Sequence, residues 1–294
     1  MPAMANILYP PSRPLSVGEV LDLAFRMFGA TLVKCLPYSF AAVIVGQLPN
    51  LRDLMTGQSA LLMQPDAQMR RLQDPSWLFM ELVAVCGTVL LYSAVILRAY
   101  ALVTGHPASG GAELATSLRR FPGMLLISIL VVLGMGACLA PAALFLVAAP
   151  GVAGTAMAVV TGVVLLIPAS WLALRWSCSG TVYLLTNRGA VASMAHSWDL
   201  TDGSFWRLSL IYTVGIVVIV VLSGLTGMLS AMLTVIFARG DIAVVMAVMT
   251  AVTVLLGAVS TPFYVALALA VLGDLSVRKE GSDLAQRISS PATQ

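Results

Sequence analysis

Arg188 to Ala238 reads RGAVASMAHSWDLTDGSFWRLSLIYTVGIVVIVVLSGLTGMLSAMLTVIFA, and three consecutive parts of it decide the fold. Val191, Met194, Ala195 and Trp198 fall at i, i+3, i+4 and i+7, one apolar face of a short helix. A polar corner follows, Thr201-Asp202-Gly203-Ser204, and then Phe205-Trp206 closed by Arg207. From Leu208 to Ala238 no residue is charged, 31 positions in all. A helix rises about 1.5 Å per residue, so this run exceeds the roughly 30 Å of bilayer hydrocarbon. The order is an interfacial helix, an aromatic-basic anchor and a membrane span.

Composition agrees with that reading along the whole chain. Its 294 residues are 59% hydrophobic and only 10% charged, and the mean hydropathy is +0.95. Soluble domains carry about 25% charged residues, which excludes a water-soluble globular fold. The net charge of +3 is spread without a basic tract of the nucleic-acid-binding kind, so no nucleic-acid partner is expected. Cys35, Cys86, Cys138 and Cys178 sit in or beside apolar runs without CxxC spacing; they read as small packing residues rather than disulfide or metal ligands.

The same unit recurs before and after this stretch. Residues 1–15 form a Pro-rich lead without signal-peptide order, expected to stay uncleaved and cytosolic. Ser16 and Glu19 make a capping box, and Val17, Val20, Leu21, Phe25 and Phe28 form an apolar stripe. Span 1 is expected over about 29–48; Lys34 within it can snorkel to the headgroups. A polar loop over 49–75 leads to span 2, about 77–104. Gly110 to Arg120 is again amphipathic, with Glu113 early and Arg119-Arg120 late, the order that complements a helix dipole. The uncharged run 121–174 holds spans 3 (about 121–148) and 4 (about 152–174), with Pro150-Gly151 as the turn. Residues 177–187 are an apolar connector of no assigned form. Span 5 is about 208–237, Arg239-Gly240-Asp241 an outer turn, and span 6 about 243–273. Pro141, Pro168 and Pro262 are expected to kink their spans.

The expected architecture is therefore all-α: six transmembrane helices plus about three cytoplasmic interfacial helices in one membrane domain, 16–285, with a cytoplasmic tail over 286–294. Three units of interfacial helix plus helical hairpin, 16–104, 109–187 and 188–285, would form a repeat, although recurring amphipathic linkers would look alike. Placing both termini in the cytoplasm puts 12 of the 16 basic residues inside, leaving Arg52, Arg70, Arg71 and Arg239 outside.

Three patches carry a resemblance: Arg13-Pro14-Leu15-Ser16-Val17-Gly18-Glu19 with Asp22 and Phe25-Arg26; Ser197-Trp198 through Gly203-Ser204-Phe205-Trp206-Arg207; and Asp274 through Leu284. In this order they resemble the membrane-domain family of bacterial glycerophosphoryl diester phosphodiesterases. The resemblance implies a polytopic domain of the bacterial inner membrane. The resemblance is not expected to bring the hydrolase activity with it, because the roughly twenty residues after span 6 are too few for a barrel of about 250 residues. The corner also departs from the pattern, with His196, Asp199 and Asp202 where basic residues are expected.

Motifs for chemistry are not found. His106 and His196 belong to no metal-ligand spacing, and Gly134-Met135-Gly136 lies inside an apolar run rather than at a phosphate loop. No catalytic residue, metal or cofactor is assigned, and spans 3 to 6 carry no ionisable residue of the kind that proton- or ion-coupled pumps use. Arg26, Arg119, Arg120, Arg188, Arg207, Arg278 and Lys279 are expected near the inner headgroup layer, either setting topology or contacting anionic lipid. Small-residue ridges at Gly154, Ala158 and Gly162 and at Ser223, Gly227 and Ala231 suit close helix packing, within the chain or, for the second, in a homodimer. The expected function is a non-enzymatic scaffold or accessory subunit associated with envelope lipids or a membrane enzyme complex, with membrane lipids and a membrane or cytosolic protein as expected partners; the alternative is a transporter or flippase of lipid-like substrates.

Overall fold

The computed structural model describes residues 8–57, 71–106, 110–149, 151–237 and 241–289. Among them the regular structure is entirely helical: α1 (Val17–Gly46), α2 (Leu48–Met55), α3 (Pro75–Val103), α4 (Gly110–Ala148), α5 (Val152–Arg175), α6 (Ser179–Leu185), α7 (Ala190–Thr201), α8 (Phe205–Phe237) and α9 (Ile242–Ser289). Six of these, α1, α3, α4, α5, α8 and α9, are long and apolar enough to cross a membrane. The protein is an all-α, multi-pass membrane protein.

Two of the three expected interfacial helices run without a break into the spans they precede. The reason is register. Along α1 the buried residues Val20, Leu23, Ala24, Met27, Thr31, Cys35, Ser39 and Ala42 form one stripe spaced by three and four, so the amphipathic start and the span share a face. In α4, Glu113, Ser117, Met124 and Ile127 are likewise buried along one helix. Only the third unit is interrupted. There Gly203 adopts φ +73, a left-handed conformation that glycine takes without a Cβ penalty, and it separates α7 from α8. The prolines Pro37, Pro122, Pro141, Pro168 and Pro262 all lie inside continuous helices.

Packing centres on α1, which lies against α9 and α3; α3 continues to α4, and α4 to α5, while α8 packs mainly on α9. Small residues permit the close approaches. Ser39 Oγ donates to Ala258 O at 2.8 Å across α1 and α9, and at Gly87 a Cβ would sit 2.5 Å from Val45 Cγ1. The ridge of α5 is internal: Gly154 and Ala158 are buried, and a Cβ on Gly154 would lie 2.9 Å from Phe145 O of α4. The ridge of α8 differs, because Ser223, Gly227 and Ala231 are all exposed.

The connector over 177–187 becomes α6, and it is core. Cys178, Val182 and Leu184 are buried in the same cluster as Val20, Met27, Val95, Leu208 and Leu267. The lead is docked as well. Leu8 N donates to Val103 O at 3.0 Å, and Tyr9 meets Tyr100 edge-on with centroids 5.5 Å apart. Across the bundle, the loop expected over 49–75 contains α2, whose Asp53 is 2% exposed. Positions 58–70 and the Arg239-Gly240 turn fall outside the described residues, as does Pro150.

Gly273 shows how tightly the lead is held, since a Cβ there would lie 2.8 Å from Pro11 Cδ and 2.9 Å from Tyr9 Cε2. Gly273→Val is therefore expected to push the lead off α9, with overpacking of about 1–3 kcal/mol. The check is limited proteolysis in detergent, where the variant should be cut within residues 8–15 faster than the parent.

Candidate functional site

The densest polar arrangement lies at the end of the bundle where α1, α4 and α8 begin and α3, α5 and the apolar part of α9 end. At its centre is Asp274, 1% exposed. Its Oδ1 accepts from Leu15 N at 2.8 Å, and its Oδ2 accepts from Arg207 Nη2 at 2.7 Å. Arg278, one turn further along α9, donates from Nε to both oxygens at 3.2 and 3.1 Å. Both arginines also donate to Leu15 O, Arg207 at 2.6 Å. One carboxylate and one backbone carbonyl thus bind two guanidinium groups, tying the lead, α8 and α9 together. A buried charge is tolerated only when paired and hydrogen-bonded in this way.

Three further ties share the design. Glu113, 6% exposed, accepts from Arg98 Nη1 at 3.1 and 3.3 Å and joins α4 to α3. Arg120 donates to Tyr183 O at 2.6 Å, Leu184 O at 3.1 Å and Thr186 O at 2.5 Å, closing the free carbonyls at the C-terminus of α6. A positive charge belongs there, since the carbonyl end of a helix carries partial negative charge. Arg175 lies 5.3 Å from the Trp171 ring and 5.1 Å from the Trp198 ring, and donates to Asp202 Oδ1 at 2.9 Å. Ser197 Oγ returns a bond to Arg175 O at 2.8 Å, which fixes α7 against α5.

The expected headgroup residues divide accordingly. Arg120, Arg207 and Arg278 are internal ties. Arg26 pairs on the surface with Asp22 at 3.0 Å, both side chains more than half exposed. Arg119 and Arg188 are exposed and make no ion pair among the described residues. They lie beside one contact, because their neighbours Arg120 and Asn187 are bonded at 2.9 Å. Lys279 is exposed and close enough to Asp202 to interact with it.

At the opposite end Asp53 is held by Arg71, with Arg52 at 3.9 Å; Arg52 also reaches Asp74 at 3.1 Å. Ser76 first, then Arg52, hold the Asp74 carboxyl down at about 2. Arg175 likewise holds Asp202 below the usual carboxylate range.

The roles of Asp274, Arg98, Glu113 and Arg175 were not apparent from the sequence. A signal exists for Asp274: an acid at the end of an apolar run followed by an arginine at i+4. Nothing local indicates that Glu113 and Arg98 face each other across two helices.

Asp274→Asn is expected to destabilise the fold by about 3 kcal/mol, because it leaves two partly buried guanidinium groups facing one neutral, buried partner. Thermal unfolding in detergent checks this, with Arg119→Gln as a comparison that should leave the transition in place. A second expectation concerns acid. Both Asp74 and Asp202 have depressed values, so their stabilisation is complete above about pH 4 and is lost as the pH falls through the folded values. Removing Asp74 as Asp74→Asn should flatten the dependence of unfolding on pH between about 5 and 2. No family model, curated protein or solved structure matches the chain.

Proposed function

We propose that this protein is a non-enzymatic scaffold or accessory subunit of a bacterial inner membrane, associated with anionic envelope lipids. The observation that carries the proposal is the division of its basic residues. Arg98, Arg120, Arg175, Arg207 and Arg278 hold helices together. Arg119 and Arg188 stand exposed at the same end of the bundle, where a phosphate headgroup layer would meet them. The acids best placed for proton transfer, Asp274, Glu113 and Asp53, are each bonded to arginine instead. An acid in that setting is a structural counter-ion.

In this reading the arginine-rich end faces the cytoplasm, in keeping with the excess of basic residues there. The three patches that carry the likeness to the glycerophosphodiesterase membrane domain supply Leu15, Arg207, Asp274 and Arg278 to one cluster. The exposed Ser223, Gly227 and Ala231 offer a ridge for a second copy or another membrane helix. A second reading, transport of a lipid-like substrate, is favoured by the cleft between α5 and α8, lined by Ser170, Ser177, Ser209, Tyr212 and Thr213.

Two measurements test the first reading. Reporter fusions at the C-terminus and within 105–110 should report the cytoplasm; a periplasmic signal from either overturns the orientation. Native mass spectrometry of protein extracted from membranes should show retained anionic phospholipid, and Arg119→Gln with Arg188→Gln should lower it about tenfold. For the second reading, vesicles with fluorescent phospholipids are decisive, since no movement above protein-free vesicles ends it.

A further inference from the structure

The cleft between α5 and α8 gathers five hydroxyl side chains, Ser170, Ser177, Ser209, Tyr212 and Thr213, at one place on the surface. It encloses about 300 Å³ and is walled by Ser170, Ala173 and Leu174 of α5, Ser177 just beyond, and Ser209, Tyr212, Thr213 and Ile216 of α8. That volume lies at the lower bound of small-molecule sites, about 300–1,000 Å³. α5 and α8 touch little, and beyond the cleft both turn apolar side chains outward. Val163, Leu166 and Ile167 on α5 and Val217, Val220 and Val221 on α8 are all more than half exposed. The medium around such a surface is lipid.

Elsewhere in the spans, Thr31, Ser93, Ser128 and Thr253 bond back to a carbonyl three or four residues earlier, whereas the buried Ser230 and Ser260 hydroxyls do not. In the cleft, Ser170 and Ser177 follow that habit, bonding Ile167 O and Leu174 O at 2.9 and 2.8 Å. Ser209 and Thr213, one turn apart on α8, make no side-chain hydrogen bond among the described residues. The hydroxyl of Tyr212 is buried beside Ser177 and completes no hydrogen bond of normal geometry. A hydroxyl without a partner in hydrocarbon carries a desolvation cost. Depth says what can supply the partner. At about 1.5 Å per residue, Ser209 and Thr213 lie roughly 3 and 9 Å along α8 from Arg207, the zone where glycerolipid esters sit just below the headgroups.

We infer that the α5–α8 cleft binds one glycerophospholipid side-on, its acyl chain against Ala173, Leu174 and Ile216 and its ester carbonyl accepting from Ser209 and Thr213. The inference deepens the lipid-associated reading by naming a chemical class and a place. It does not depend on the exposed arginines. The ester is the acceptor that this depth supplies, and an apolar groove with hydroxyls on one wall matches a chain joined to a carbonyl.

The test uses the full-length protein in vesicles of phosphatidylethanolamine and phosphatidylglycerol, with a phosphatidylethanolamine carrying a diazirine near its ester as the probe. Illumination should label peptides covering 170–177 and 209–216 well above the exposed apolar surface of α5 at 159–167. Ser209→Ala with Thr213→Val keeps the shape and removes both hydroxyls, and should lower cleft labelling about fivefold while the 159–167 signal holds. Thr213→Trp, which fills the cleft, should abolish it. Labelling in proportion to exposure alone, or unchanged in both variants, overturns the inference. Arg119→Gln with Arg188→Gln separates the two readings: if it leaves anionic-lipid retention intact while cleft labelling persists, the headgroup reading fails and the cleft stands.

Discussion

A single carboxylate constrains the rest of the bundle. Asp274 lies at the end of an apolar helix, almost inaccessible, and a charge in that setting costs several kcal/mol unless partners replace its water. The partners come from three places: Arg207 on α8, Arg278 one turn along α9, and the amide of Leu15 in the lead. Both arginines then need a second acceptor, and Leu15 O serves each. None of the three elements can move without exposing a charge to lipid or leaving one unpaired. Burial of apolar surface gives the spans little drive to associate, because lipid is as apolar as leucine. Ionic ties at their ends supply the register that hydrophobic burial does not.

The same physics is repeated at smaller scale. Glu113 with Arg98 joins α3 to α4, Arg175 between two tryptophans joins α5 to α7, and Asp53 with Arg71 secures the opposite end. Arg120 completes α6 by meeting the carbonyls that a helix C-terminus leaves free. These ties bind α5 to α7 and α8 to α9 but not α5 to α8, which touch little, and the hydroxyl-lined cleft lies between them. Architecture and lipid contact thus have one origin. Arginines that lock the ends define which surfaces remain open to the bilayer.

Much of this was legible from residue order, and the failures are physical ones. The six apolar runs, their limits and the capping box at Ser16–Glu19 follow from local composition and spacing, and the observed helices match them to within a few residues at their apolar ends. The break at Gly203 was marked by a polar corner. Continuity in α1 and α4 was not, because a charge pattern that suits an interfacial helix also suits the first turns of a longer one; only the shared burial stripe distinguishes them. The connector around Val182 had no assigned form and is core, since seven residues of helix show no periodicity worth reading.

What the sequence by itself determined is the class of solvent each segment requires: uncharged runs long enough to need lipid, and polar corners that need water or headgroups. Hydrophobicity is additive along a chain, so it can be read without knowing any contact. Which arginine meets which acid was decided only in the tertiary structure. Seven basic residues were alike as candidates for the headgroup layer, yet Arg120, Arg207 and Arg278 became ties while Arg119 and Arg188 stayed exposed. That assignment depends on the rotation of each helix about its axis and on residues up to 263 positions apart, and neither is encoded locally.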